Sequence, residues 1–372
     1  MQLPLTDDQT LVLETATRFV EAELPLPATR HLHGDPLGFD RAWLRKSAEL
    51  GWFGLLVPED LGGGCVSEHG LVDAAIVAEV LGRAVQPGPF LTSSVVALAL
   101  ATGGSTRLHR DVLPGILNGE LVASWAWADA LGEPDGGAGV VAERSGADLV
   151  LTGNRGYVIE APSADHLLVF ATLEGQPVHV AVPVASAGVS RDPLTGLDLS
   201  RRFAHVELDH VAVSADAIVD VDGDRLFVTA LTLLLAETVG AMDALLEMTV
   251  TYAKDRVAFG RPIGSFQAIK HVLADQAMYL EASKAASAAA TQAAAAGDPD
   301  AMQVAHMAAA YLGEHGPELA QECLQVHGGI GYTWEHDLHL LMRRIQSNAS
   351  LLGEPRWHRE QLCRLHGFGV EA

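Results

Sequence analysis

Apolar positions recur at helical spacing through the first hundred residues. Leu11, Val12, Ala16, Phe19 and Val20 form one stripe, and Thr6 precedes them as a helix N-cap. A second amphipathic stretch covers residues 39–50 and is stopped by Gly51, and a third covers 67–81. Residues 58–64, with a proline at one end and three glycines at the other, read as a loop. Pro87, Gly88 and Pro89 break the chain, and helical stretches then run from Thr92 to about Leu117.

From about Leu121 the texture changes. Short apolar runs at 148–152, 166–170, 179–182, 204–208 and 211–213 are bounded by Gly, Asn and Pro, which is strand-and-turn chemistry. Helical texture returns from Asp224, with a long stretch over 226–256 and an alanine-rich one over 268–296. Asp298, Pro299 and Asp300 break it, another helix covers 301–326, and Gly328 to Gly331 interrupt before a last helical segment. The alanine run at 285–296 reads as a tightly packed bundle helix. The pattern predicts an α+β chain: an N-terminal helical domain over 1–119, a middle β-domain over 120–220 and a C-terminal helical bundle over 221–372.

Composition narrows the partners. Of 372 residues 49% are apolar, enough to bury a sizeable core. The net charge of −23, from 47 acidic and 24 basic residues, argues against nucleic acid or an anionic membrane as main partner, but not against a small anion met by local arginines. Three scattered cysteines, Cys65, Cys323 and Cys363, form no disulfide framework, and the N-terminus shows no basic or apolar leader, so a cytoplasmic location is expected. The longest apolar runs, such as 229–236, read as too short and interrupted to span a bilayer.

The most informative stretch is 255–267. Gly260 and Pro262 end one helix, Ser265 is placed as the N-cap of the next, and Arg256, Phe259 and Gln267 gather around the break. A guanidinium, an aromatic ring and an amide suit an anion that carries an aromatic group. This stretch resembles the flavin-binding corner of the acyl-CoA dehydrogenases. Four other segments resemble the same family in the same order. They are residues 49–64, residues 79–90, the hairpin 151–165 and the Gln325-x-x-Gly328-Gly329 run over 325–332.

The resemblance implies the acyl-CoA dehydrogenase fold, with a β-barrel-like middle domain and a C-terminal four-helix bundle, and an oligomer binding FAD at subunit interfaces. It puts Arg256, Phe259 and Gln267 on the side that serves a neighbour's FAD, with Gln325, Gly328 and Gly329 near the adenine. It also exposes what is missing. The family's catalytic glutamate, in a Glu-Gly turn after the last long helix, falls on Leu352 before Gly353; the alternative position falls on Ala230. The usual Arg-Asp pair is Arg343-Arg344, the flavin-cradling run over 124–134 keeps little of the family pattern, and the Trp-Ile-Thr that backs the flavin is Tyr157-Val158-Ile159. Glu354 would need a shifted loop to act as base, and Glu237, inside the long helix, reads first as structural. No catalytic residue is therefore assigned. His327 and His336 read as packed or surface histidines, and no metal ligand set appears.

These losses have a direction: the side serving a neighbour is kept and the chain's own base is gone. The first expectation is a non-catalytic subunit of an α2β2 heterotetramer, of the kind the family includes in actinobacterial steroid side-chain breakdown. A second acyl-CoA dehydrogenase-like chain would supply the glutamate for desaturating an acyl-CoA. Two other readings stay open, a stand-alone flavin monooxygenase or oxidase on this scaffold and a scaffold that has lost FAD.

Overall fold

A computed structural model describes residues 5–128 and 139–368. The chain opens with helices α1 (Asp7–Glu23), α2 (Leu26–Thr29), α3 (Arg41–Glu49), α4 (Gly70–Arg83), α5 (Phe90–Gly103), α6 (Thr106–Asp111) and α7 (Leu113–Leu117). Thr6 closes a capping box on α1: its hydroxyl accepts from Gln9 N at 3.2 Å, and Thr6 N donates to the Gln9 side chain at 3.1 Å. Helix α4 starts at Gly70, later than periodicity suggested, because Ser67 is tied into a loop. Its N–H and that of Val66 both donate to the buried Asp73 carboxylate at 3.0 Å.

Among the described residues eight strands follow: β1 (Ala123–Ala126), β2 (Val140–Ser145), β3 (Asp148–Ile159), β4 (His166–Leu173), β5 (Gln176–Pro183), β6 (Val189–Leu194), β7 (Phe203–Ser214) and β8 (Ile218–Val219). They form one sheet in the order β6-β7-β3-β2-β4-β5-β8, with β1 paired to β4 off this path. The pairings of β1 and β2 with β4 are parallel and the others antiparallel. Runs 204–208 and 211–213, separate in the sequence pattern, are one strand, β7, which passes through His210 at a left-handed φ of 52°.

The C-terminal helices are α8 (Gly223–Asp255), α9 (Gln267–Ala296), α10 (Ala301–His327), α11 (Leu338–Asn348) and α12 (Pro355–Leu365). Asp222 caps α8, its carboxylate accepting from Asp224 N and Arg225 N at 3.0 and 3.2 Å. Every residue of α8 from Leu226 to Met242 is buried. That corrects one expectation: α8 is long and apolar enough to cross a membrane by length and composition, but it is the core helix, sheathed by protein. It crosses α4 at very close range. A Cβ on Gly240 would sit 1.9 Å from the Glu79 carbonyl, and one on Gly82 would sit 2.0 Å from the Glu237 carbonyl. Only glycines allow the two backbones to touch there.

Candidate functional site

The 255–267 corner is a miniature hairpin. Helix α8 ends at Asp255, and Arg256 N still donates to Tyr252 O at 2.8 Å. Strands β9 (Val257–Ala258) and β10 (Arg261–Pro262) then pair antiparallel, leaving Phe259 and Gly260 at the tip with φ of 53° and 79°. Phe259 is 96% exposed, a large ring that touches its own chain edge-on at Phe266, with centroids 6.3 Å apart, in a conformation disfavoured for bulky residues. The Arg261 guanidinium lies 3.9 Å over the Phe266 ring. Ser265 is not the N-cap of α9. A 3-10 turn over Ile263–Ser265 moves the helix start, Phe266 takes the cap position, and the Ser265 hydroxyl donates to Pro262 O at 2.7 Å. Gln267 is the exposed first residue of α9.

The second candidate group lies at the end of α10. Gln325 is exposed in its last turn, and Gly328 leaves the helix at a φ of 63°. Two residues that sequence reasoning did not connect join this end to the corner. Tyr252 stacks on His327 with centroids 4.4 Å apart and planes 18° from parallel, and its hydroxyl donates to His327 O at 3.4 Å. Tyr252 is one turn before Arg256, and His327 stands between Gln325 and Gly328, so the stack brings the two groups side by side. The legible signal was an aromatic residue one turn before the break; its partner lay 75 residues away. His327 Nδ1 donates to Cys323 O at 2.9 Å, and burial lowers the basicity of the ring, which serves as neutral packing.

The chemistry of this shelf is that of a phosphate and heterocycle holder. It offers the guanidinium of Arg256, the ring of Phe259, the amides of Gln267 and Gln325, and a backbone at Gly328 and Gly329 where nothing lies within 4 Å of a Cβ position. These residues fit the pyrophosphate and adenine end of FAD. They face outward, except that Gly328 is half-buried.

The chain's own crevice is elsewhere. A cavity of about 740 Å³ is bounded by α5, by β1 and β3, and by the loop between α11 and α12, with Leu91, Trp125, Trp127, Tyr157 and Leu352 on its walls. Leu352 holds a φ of 59° and Gly353 a φ of 121°. The turn expected from the resemblance to carry a glutamate thus presents an isobutyl group in a left-handed conformation. Ala230, the alternative base position, is fully buried in the core and does not line the cavity. Glu354 does reach the cavity wall, exposed to solvent at the start of α12. Ile159 on the same wall offers no hydroxyl. Trp125 and Trp127 are stacked with centroids 5.2 Å apart; positions 129–134 of the expected flavin-cradling run lie outside the described residues.

Glu237 is settled by its partners. Arg201 donates to both its oxygens at 2.7 and 2.6 Å, Arg344 to one at 2.8 Å, and Asn348 to the same one at 3.2 Å. Arg344 also donates to Asp198 and, at 2.6 Å, to Ser200. Two guanidinium groups and two carboxylates thus interlock the β6–β7 connection, α8 and α11 in the interior. Although burial opposes it, the paired arginines hold both Asp198 and Glu237 below the ordinary carboxylate range. An ionised carboxylate engaged on both oxygens by buried donors is a structural group, and the Arg344 that replaces the family's aspartate is its counter-charge. Glu160, buried at the end of β3, fares differently. Burial outweighs its hydrogen bond from Arg202 N and the nearby arginines, and its carboxyl is pushed up to about 7. Among the described residues no group of three or more His, Cys, Asp or Glu side chains is placed to hold a metal ion.

Comparison with known proteins agrees with this layout. Residues 6–120 match the family described as acyl-CoA dehydrogenase, N-terminal domain, and residues 229–365 match acyl-CoA dehydrogenase, C-terminal domain. The chain is 32% identical to acyl-CoA dehydrogenase IpdE2 of Mycolicibacterium smegmatis, over 97% of this chain and 98% of that one. Among solved structures, a chain of the ChsE4–ChsE5 complex from Mycobacterium tuberculosis superposes with a TM-score of 0.91 at 26% identity, over all of both chains. A chain of the Tcur3481–Tcur3483 steroid ACAD, solved as a single-residue variant, superposes with a TM-score of 0.88 at 26% identity, over 97% of this chain and 98% of that one. Helical ends, a central sheet, the outward corner and full-length similarity together establish that the chain belongs to the acyl-CoA dehydrogenase family, a family of oxidoreductases.

Proposed function

We propose that this chain is the base-lacking subunit of a heteromeric acyl-CoA dehydrogenase, and that it completes the FAD site of a second family member from the pyrophosphate and adenine side. One observation carries the reading: Arg256, Phe259, Gln267 and Gln325 are turned outward, while the crevice loop presents Leu352 where a proton-abstracting carboxylate is needed. Removing the proton next to a thioester requires a base within hydrogen-bonding reach of it. An isobutyl group cannot serve, and Glu354, on the same wall, is solvent-exposed two residues beyond the turn position, so on this reading the base comes from another chain. When bound, FAD supplies the acceptor for the β-hydride.

The role left to this chain is to hold and orient. Arg256 would pair a phosphate, Phe259 would pack against a partner or the cofactor, Gln267 and Gln325 would hydrogen-bond, and Gly328 and Gly329 would let the backbone come close. Both similar structures are named as pairs of chains, and one of them as a steroid enzyme. By that likeness we propose an α2β2 assembly, a CoA ester of a steroid side chain as substrate, and a cytoplasmic location; the free thiols of Cys65, Cys323 and Cys363 accord with the last.

The test is to purify the chain alone and together with a family member that carries the glutamate. The lone chain is expected to retain little FAD and to leave acyl-CoA unoxidised, and the pair to show both. Full FAD content and dehydrogenation by the lone chain would overturn the proposal.

A further inference from the structure

Gly328 and Gly329 open a loop that runs from α10 to α11. It begins as a 3-10 turn over Gly328–Tyr332 and continues to Asp337, with Ile330, Tyr332 and Trp334 exposed along it. Its internal hydrogen bonds are local. The N–H and the hydroxyl of Thr333 both donate to Ile330 O, at 3.1 and 2.8 Å, and Leu338 N donates to His336 Nδ1 at 3.2 Å. A glycine-rich loop with exposed side chains and local bonds opens easily unless distant groups fix it.

Two distant residues do so. Tyr252 holds the root, through its stack on His327 and its bond to His327 O. Arg30 holds the far end. Its guanidinium donates to Trp334 O at 3.2 Å, to Glu335 O at 2.6 Å and to the Asp337 carboxylate at 2.7 Å. Only 17% of each side chain in the Arg30–Asp337 pair is exposed, so water and salt screen it less than an open pair. The His33 ring lies 5.5 Å from Trp334, and His336 meets His327 edge-on at 4.9 Å, which ties the far end back to the root. Arg30 is itself held in place. It begins a 3-10 turn over Arg30–Gly34, and Arg202, in the connection before β7, donates to Leu32 O at 2.9 Å and to Asp35 O at 2.6 Å.

We propose that Arg30 is a positioning residue for the cofactor site. By clamping residues 334–337 it keeps Gly328 and Gly329 placed to receive the adenine end of the nucleotide. It acts through the loop, from a segment 300 residues earlier in the chain than the turn it serves. The fork of a guanidinium suits this task, since one side chain engages three acceptors, which a lysine ammonium on a flexible stem matches poorly. The inference rests on the reading of the shelf as the site of an FAD tail.

The experiment uses the chain with its partner, freed of FAD, and reads FAD binding by flavin fluorescence and ADP binding by competition. Arg30→Met should weaken both about tenfold, the worth of one hydrogen bond to a charged group. The two factors should be equal, because the loop meets only the nucleotide tail. Arg30→Lys, which keeps the charge opposite Asp337, should fall between parent and Arg30→Met. Assembly, the melting temperature of the lone chain, and KM for acyl-CoA at saturating FAD should stay as in the parent. Arg256→Met is measured alongside. Weakened binding in Arg256→Met with none in Arg30→Met would overturn this inference and leave the shelf reading standing. Unchanged binding in both would overturn the two together. A loss in Arg30→Met that comes with a lower melting temperature, and that Arg30→Lys does not reproduce at the parent's melting temperature, would make Arg30 a residue of the fold alone and overturn the proposal.

Discussion

Glu237 and Arg344 sit in the interior as a charge pair whose members depend on each other. Removing one partner of a buried pair costs about 3–5 kcal/mol, because the other remains desolvated and uncompensated. Glu237→Gln removes the ion-pair partner of Arg201 and leaves Arg344 only Asp198, so urea denaturation should show a loss of about that size for the lone chain. A loss below about 1 kcal/mol, the worth of an exposed pair, would return Glu237 to the list of candidate bases. Glu160 makes a prediction with the opposite pH sense. Its folded-state carboxyl is raised to about 7 against 4.5 for an ordinary glutamate, so the folded form binds its proton more tightly than the unfolded form. Its contribution to stability is present below about pH 4.5 and is lost as pH rises through about 7. Glu160→Gln should therefore gain in melting temperature relative to the parent as pH increases across that window. The individual candidates were legible unequally. Arg256, Phe259 and Gln267 could be read because they lie close in sequence and carry binding chemistry. The ion network could not, since Asp198, Arg201, Glu237, Arg344 and Asn348 come from three distant segments and meet only on folding.

Among the elements, helix α8 and the hairpin that ends it carry most of the argument. The α4–α8 crossing is set by Gly82 and Gly240, and Gly240→Ala would drive a methyl group into a carbonyl oxygen. The helices must part, at a cost of about 1–3 kcal/mol seen as a lower melting temperature. The hairpin predicts the reverse. Phe259 is bulky, exposed and left-handed, so Phe259→Gly should leave the lone chain at least as stable as the parent while weakening FAD retention by the assembled enzyme. A destabilised lone chain would mean that the ring serves its own fold. Helix boundaries were legible where caps and breakers stand in the sequence, as at Thr6, at Gly51 and at Asp298 to Asp300. They were misread where a side chain served a loop instead, as with Ser67 and Ser265. Strands β3, β4, β5 and β7 announced themselves by apolar runs. Polar β6 and short, fully buried β1 did not, because neighbouring strands and helices rather than their own pattern define them.

At the scale of the molecule, the chain keeps the family fold, and the proposal divides the family's functions between it and a partner. On the proposed reading, the crevice has its cavity and a left-handed turn at Leu352 with no carboxylate at that position, and the shelf would bind the cofactor's tail without chemistry of its own. Restoring a carboxylate with Leu352→Glu should not make the lone chain a dehydrogenase, since Ile159 and the tryptophan-lined wall still differ from the family's flavin support. The central claim is that this chain's shelf holds the tail of a flavin used by its partner. The most direct measurement is FAD per assembled complex after Arg256→Met and Gln325→Leu are combined in this chain alone, with the partner unaltered. The account predicts an intact assembly that loses FAD and, in proportion, activity. An intact assembly with unchanged FAD occupancy would contradict it.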